Sequence, residues 1–384
     1  MTSTFDLPQR LLLGAGPSQT TDRVLRALGS PTLGHLDPAF GELLDDLSAR
    51  LRTVFRTENR VAFPVSGTGS AGMETMVANL VSPGDRVICG IHGLFGERMA
   101  DELARHGAHV VRVEGEWGRA IPLELMTEAT KDGFDAMFVV HAETSTGVAQ
   151  PLDGLADLCR ANDALLLVDC VTSLGGHRLE LDAWGVDAAF SGTQKCLNVP
   201  PGLAPFTLGP RAVAKAETVD CPSWYFDLSL VLGYWSGDGG RAYHHTAPIN
   251  LIYGLHEGLG DVIEEGLEAR WARHERAHGA LLRAVRALGL ERLAPEGEQL
   301  NSLLAVRIPE GVDDAAVRGS LLLEDGIEIS GGVGKFAGSV WRLGVMGFGA
   351  NPEPQRRLVE ALAKRLGHEP ADALAELDAG WTSD

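Results

Sequence analysis

Short apolar runs alternate with helical patterns through the first half of this chain, and that alternation narrows the fold more than any other feature. The runs read RVAFPVS, DRVICG, HVVRVEG, AMFVVHA, ALLLVDC, VDAAFSG and LAPFTLG, with helical stretches such as AGMETMVANLVS, GERMADELARHG and LDGLADLCRAND between several of them. A strand that is apolar along its length has both faces covered, so the pattern predicts an α/β fold with a mostly parallel sheet between layers of helices. On such sheets ligands gather at the carboxyl ends of the strands, and the chemistry is expected there.

After about residue 260 the texture changes. The long helical pattern GLEARWARHERAHGALLRAVRALG precedes LNSLLAVRIPEG, GIEISGGVG, SVWRLGVMG and a second helical stretch, PEPQRRLVEALAKRLG. This reads as a smaller α+β domain entered through the long helix. The segment 266–289, rich in Arg and Glu, is expected to present a solvated amphipathic face. The chain divides into an N-terminal arm (1–20), a large domain (21–262), a small C-terminal domain (263–368) and an acidic tail (369–384), the tail loosely held.

The 384 residues suffice for a sizeable core, and the formal net charge of −19 argues against nucleic acid as a partner. Cys89, Cys159, Cys170, Cys196 and Cys221 are odd in number and scattered, with no C-x-x-C pair. They fit reduced thiols better than disulfides or a zinc site, and Cys170 and Cys196 read as small packing residues. No basic-then-apolar leader and no run of membrane-spanning length is visible, so no membrane partner and a cytoplasmic setting are expected.

Residues 66–72, SGTGSAG, place Gly67, Gly69 and Gly72 after a strand and before a helix. A dinucleotide site would also need an acid at the end of the next strand, but DRVICGIHG carries its acid, Asp85, at the start. The dinucleotide is therefore rejected. What remains is a helix N-terminus able to wrap an anion, most plausibly a phosphate, or a turn that needs glycine for backbone reasons.

Two further strand ends carry polar groups. LLLVDCVTSLGG presents Asp169 after a buried run, and MFVVHAETSTG ends in Glu143, Thr144, Ser145 and Thr146. A carboxylate there is costly unless paired, although for an isolated strand-end Asp such as Asp169 a helix N-cap is the more common role. In SGTQKCLNVPPG, Lys195 follows a strand by a few small and polar residues, 26 positions after Asp169. A phosphate cradle, a strand-end Asp and a strand-end Lys on one sheet edge are what pyridoxal 5′-phosphate requires. Its phosphate wants a helix N-terminus, its ring nitrogen a carboxylate, and its aldehyde a lysine amine.

With LLLGAGPS, GHLDPAF, VSGTGSAGME, HAETSTGVAQPL, LLLVDCVTSLGG, SGTQKCLNVPPG, YHHTAP and WRLGVMGFGA, the chain resembles the class V, fold type I aminotransferases, specifically the alanine–glyoxylate and serine–glyoxylate (serine–pyruvate) family. The resemblance runs from residue 11 to about 350. It implies a large domain with a seven-stranded, mostly parallel sheet and a smaller C-terminal α+β domain. By resemblance, Lys195 carries the cofactor and moves the substrate's Cα proton, while Asp169 pairs with the pyridine nitrogen. Val171 and Phe95 face the ring; some relatives have tryptophan at the position of Phe95. Gly69, Ser70 and Gln194 hold the phosphate, with histidine in some relatives where Ser70 stands. Thr144 meets the phenolic oxygen or the substrate. Tyr243 and Thr246 of YHHT are assigned to the phosphate of a neighbouring subunit, which implies a homodimer with shared active sites.

Arg342 is the only charge in the apolar strand SVWRLGVMG, and with the resemblance it reads as the partner of the substrate α-carboxylate, Gly16 lying beside the same group. His244 and His245 are adjacent, so their rings are expected to point apart and to form no metal pair; no metal site is expected elsewhere. The implied reaction passes the amino group of a small L-amino acid, alanine or serine, to glyoxylate or pyruvate. No second basic residue stands near Arg342 in sequence to read a side-chain carboxylate, which favours small neutral donors. A specialised donor such as ureidoglycine, or a lyase on the same fold, is the alternative. A desulfurase is disfavoured because no cysteine follows Cys221. A cofactor-free structural dimer is disfavoured by Lys195, Asp169 and Arg342 standing together.

Overall fold

The computed structural model describes residues 7–235 and 241–382. Seven strands build the large sheet: β1 (Val61–Ser66), β2 (Arg86–Ile91), β3 (His109–Glu114), β4 (Ala136–Val140), β5 (Leu165–Asp169), β6 (Ala188–Phe190) and β7 (Leu203–Leu208). Their spatial order is 1-7-6-5-4-2-3, and every pairing is parallel except those of β7, which runs antiparallel to β1 and β6. The central strands β4 and β5 are buried at every position, as their unbroken apolar runs required.

The register brings the site together. Asp169 at the end of β5 lies opposite Val140 of β4 and Phe190 of β6. The chain leaving β4 thus carries Glu143 and Thr144 to the same edge as the chain leaving β6, which carries Gln194 and Lys195. From β1 the chain enters the helix Gly69–Leu80, which lies over β6 and β7. Gly72 makes that approach possible, because a Cβ there would stand 3.0 Å from the Ala204 side chain and 3.1 Å from that of Phe190.

A second sheet holds β8 (Glu291–Arg292), β9 (Leu303–Arg307), β10 (Ser330–Gly331) and β11 (Val340–Gly344), antiparallel in the order 8-9-11-10. Its core joins Leu304, Trp341 and Leu343 to Leu281 and Leu358 from the helices Leu267–Ala287 and Pro352–Leu366. Near the N-terminus, Leu11–Leu12 pairs in parallel with Ile327–Glu328, and the Gly344 N–H donates to Leu13 over 2.7 Å. This ladder feeds Gly16 toward Lys195. No helix among the described residues is long and apolar enough to cross a membrane.

Two expectations are overturned here. The tail is not loose: Ala371–Thr382 is a helix packed on Leu267–Ala287, with Ala373 and Leu377 buried. Gly380 lies so close that a Cβ would stand 2.5 Å from Ala280 Cα, and Trp381 Nε1 donates to Gln355 Oε1 over 2.9 Å. Positions 373, 377 and 380 repeat at helical spacing, so an apolar stripe sits under the acidic surface.

Nor does the helix Leu267–Ala287 present only a solvated face. Arg270, His274 and His278 are buried on it. Arg270 donates to the carbonyls of Gly175 over 2.9 Å and Cys196 over 2.6 Å, and pairs with Glu265 at 2.6 Å. The charged residues that suggested solvent are in part the fastenings of the residue after Lys195.

Candidate active site

A cavity of about 100 Å³ opens at the carboxyl ends of β4, β5 and β6. Eight of the residues singled out from sequence line it. Gly69 and Ser70 stand at the helix N-terminus, Phe95 beside them, Asp169 and Val171 at the end of β5, and Thr144, Gln194 and Lys195 opposite. Thr68 precedes the helix without giving it a side-chain cap, so its first N–H groups have no capping side chain. The Gln194 side-chain oxygen is buried with no hydrogen-bond partner among the described residues. Both features suit an anionic group at this end of the cavity.

Lys195 is 9% exposed. Its Nζ donates to the Ala15 carbonyl, and a Cβ on Gly16 would stand 2.7 Å from that nitrogen. Gly16 also has φ of +109°, so both the backbone and the close approach demand glycine. Burial, and then the charge of Arg342, draw the amine down to about 8, within reach of the neutral form that acts as nucleophile or base.

Asp169 is 3% exposed, and burial pushes its carboxyl up to about 7 against the Val171 N–H that donates to Oδ1 at 2.8 Å. A carboxyl held there ionises fully once a cation is set against it. Glu143, wholly buried, accepts from Ser145 N and Oγ on one oxygen and from Phe95 N at 3.0 Å on the other. It caps the helix Leu94–Arg105 from across the chain and so fixes Phe95 at the cavity wall.

Arg342 stands just beyond the lining. Its Nε donates to the Gly331 carbonyl over 2.8 Å and its Nη1 to that of Thr144 over 3.3 Å. It forms no ion pair with a described carboxylate, while burial pulls its pKa down. A half-buried guanidinium tied only to carbonyls keeps donors for an incoming anion.

Tyr243 and Thr246 do not reach this cavity within the chain. Tyr243 is 60% exposed, its ring 5.1 Å from that of His35 and its hydroxyl 3.5 Å from Thr246 Oγ1. Between them, His244 and His245 correct the expectation that their rings diverge: the two Nδ1 atoms are 2.7 Å apart. The chain runs on from His245 Nε2 to Ser66 Oγ at 2.7 Å and from His244 Nε2 to the Trp224 carbonyl at 3.2 Å. The segment curls so that the rings meet edge to face, at 87°, in place of alternating. Among the described residues no cluster of His, Cys, Asp and Glu is placed to hold a metal ion.

The family model for Aminotransferase class-V matches residues 11–340. The chain belongs to the class V aminotransferases. As such it is similar to a (S)-ureidoglycine–glyoxylate transaminase of Bacillus subtilis, 38% identical over 90% of this chain and 88% of that protein. It is also similar to an alanine–glyoxylate aminotransferase of Rattus norvegicus, 36% identical over 97% and 92%. Among solved structures, an alanine–glyoxylate aminotransferase from Nostoc sp. superposes with a TM-score of 0.93 at 44% identity, covering 95% of this chain and 97% of that one. Class V aminotransferases depend on pyridoxal phosphate, and this one carries the strand-end lysine and aspartate in a single cavity.

Sequence reasoning passed over three groups of this class V site. Thr68 lines the cavity from inside the glycine motif, where its position before the helix was a usable signal. Glu143 was noted only as a polar strand end. Arg98 also lines the cavity, and from sequence it looks like any exposed helical arginine.

Proposed function

We propose that this class V aminotransferase binds pyridoxal 5′-phosphate at Lys195 and moves the amino group of a small L-amino acid, alanine or serine, to glyoxylate or pyruvate in two half-reactions. The observation that carries the reading is the convergence of a buried amine and a buried carboxyl at one sheet edge, with the Arg342 guanidinium, held by no described carboxylate, just beyond them. The orphaned Gln194 oxygen and the uncapped helix N-terminus support a phosphate-bearing occupant. The three relatives named above, each called a glyoxylate aminotransferase or transaminase, support the acceptor.

When bound, the cofactor supplies an aldehyde for amine exchange and a sink for the electrons of the broken Cα–H bond. Lys195 would hold it and, once released, take and return the Cα proton on Nζ. Asp169 would hold the proton on the ring nitrogen. Gly69, Ser70 and Gln194 would bind the phosphate, Phe95 and Val171 the ring faces, and Thr144 the phenolic side. Arg342, with Gly16 backbone beside it, would grip the substrate α-carboxylate. Tyr243 and Thr246, exposed in one chain, would complete the phosphate site of a second copy in a homodimer. All five cysteines are free, which supports a reducing, cytoplasmic setting.

The similarity to a ureidoglycine transaminase favours a second donor, (S)-ureidoglycine, at the same site. Incubation with glyoxylate and each of L-alanine, L-serine, L-aspartate and (S)-ureidoglycine separates the readings. Equal amounts of glycine and pyruvate from L-alanine are expected. Glycine from (S)-ureidoglycine alone would overturn the small-donor reading in favour of the second.

A further inference from the structure

We propose that Arg98 is the charge partner of the phosphate end of the site, its guanidinium completing the cradle begun by Gly69 and Ser70 while bracing Phe95. The inference rests on the cofactor reading above. Arg98 lies three residues after Phe95 on the helix Leu94–Arg105, so the two side chains share a face. Its Cζ is 4.9 Å from the centre of the Phe95 ring, and Nη1 donates to Ser70 Oγ over 3.3 Å. It therefore bridges the ring that walls the cavity and the helix that opens onto it.

Its neighbours show that this placement is a choice. On the same helix Arg105 closes on Asp101 at 2.8 Å, and Glu97 is taken by Arg112 at 2.8 Å. Arg98 forms no ion pair with a described carboxylate, although Glu102 is one turn away. Burial and the adjacent Glu74 push the Glu102 carboxyl up to about 8 although the charge of Arg98 works the other way, so at neutral pH Glu102 is mostly uncharged. A guanidinium stacked on an aromatic ring keeps its in-plane N–H groups for an anion, and its fork matches phosphate. Its link to Ser70 sets it at the phosphate end, whereas Arg342 is tied to Thr144 and Gly331.

The test is a titration of cofactor-stripped wild type, Arg98→Gln and Arg98→Lys with pyridoxal 5′-phosphate and, separately, with pyridoxal, read by absorbance and protein fluorescence. Gln and Lys are good helix formers, and far-UV circular dichroism checks that each variant folds. Arg98→Gln is expected to weaken pyridoxal 5′-phosphate binding about 10- to 100-fold while pyridoxal shifts less than about 3-fold, with Arg98→Lys between wild type and Arg98→Gln. Equal weakening toward both ligands would mean that Arg98 only braces Phe95, and would overturn the proposal. So would unchanged binding of pyridoxal 5′-phosphate by Arg98→Gln. Wild type that binds neither ligand would instead sink the cofactor reading on which the proposal stands.

Discussion

At Lys195 the local environment does the chemical preparation. An ordinary lysine at pH 7 is neutral in well under one molecule in a thousand; one drawn to about 8 is neutral in roughly a tenth. Burial is the first cause and Arg342 the second, so the residue that would grip the substrate also tunes the amine. The rate at which stripped enzyme captures pyridoxal should therefore rise with pH up to about 8 and then level. A rise continuing to pH 10 would show an unperturbed lysine. Arg342→Lys keeps the charge but loses the fork, and should lower kcat/KM for L-alanine about 10- to 100-fold, chiefly through KM. An unchanged KM would remove Arg342 from the substrate site. Lys195 and Asp169 were legible in sequence because, although each alone has a bland reading, a strand-end Asp, a strand-end Lys and a glycine motif on one sheet edge point together to one cofactor. Arg98 was not, because its role depends on Phe95 and Ser70 arriving from two helices, which no local pattern announces.

Among the elements, the central strands were readable because unbroken apolar runs between helical patterns admit one layered solution, while the edge strand His109–Glu114 was readable from its β-branched residues. Strand order and register, which put Asp169 beside the chain carrying Lys195, are long-range facts and were not. The C-terminal helix was misjudged because composition was weighed above periodicity. The long helix Leu267–Ala287 was misjudged for a related reason: Arg270 is buried there because Glu265 and two carbonyls receive it. Glu265 binds both Arg270 and Arg273. Burial alone would raise its carboxyl, but the Arg273 hydrogen bond and the two charges outweigh that and hold it at about 2. Because this lies below the ordinary 4.5, the unfolded chain binds more protons between those values. The stability Glu265 contributes is thus whole above about pH 4.5 and lost as pH falls toward 2. Glu265→Ala should cost about 3 kcal/mol in denaturant unfolding at pH 7 and flatten that acid limb. An unfolding curve like that of wild type at both pH values would contradict the pairing's importance.

For the whole molecule, the exposed aromatic residues Trp224, Tyr225 and Tyr243 cluster around the His244–His245 segment, which is anchored to Ser66 beside the glycine motif. In the proposed homodimer that surface would receive the second copy and share Tyr243 and Thr246. Sedimentation equilibrium should give about twice the chain mass of 40.9 kDa; a monomer retaining full activity would refute shared sites. The central claim, that Lys195 holds pyridoxal phosphate for transamination, is tested most directly by the visible absorption of the purified protein during sequential addition of L-alanine and glyoxylate. The account predicts a yellow protein that bleaches with L-alanine and recovers its colour with glyoxylate, and a Lys195→Ala variant that lacks the cycle. A protein that stays colourless when supplied with pyridoxal 5′-phosphate, or a Lys195→Ala variant that cycles like wild type, would contradict it.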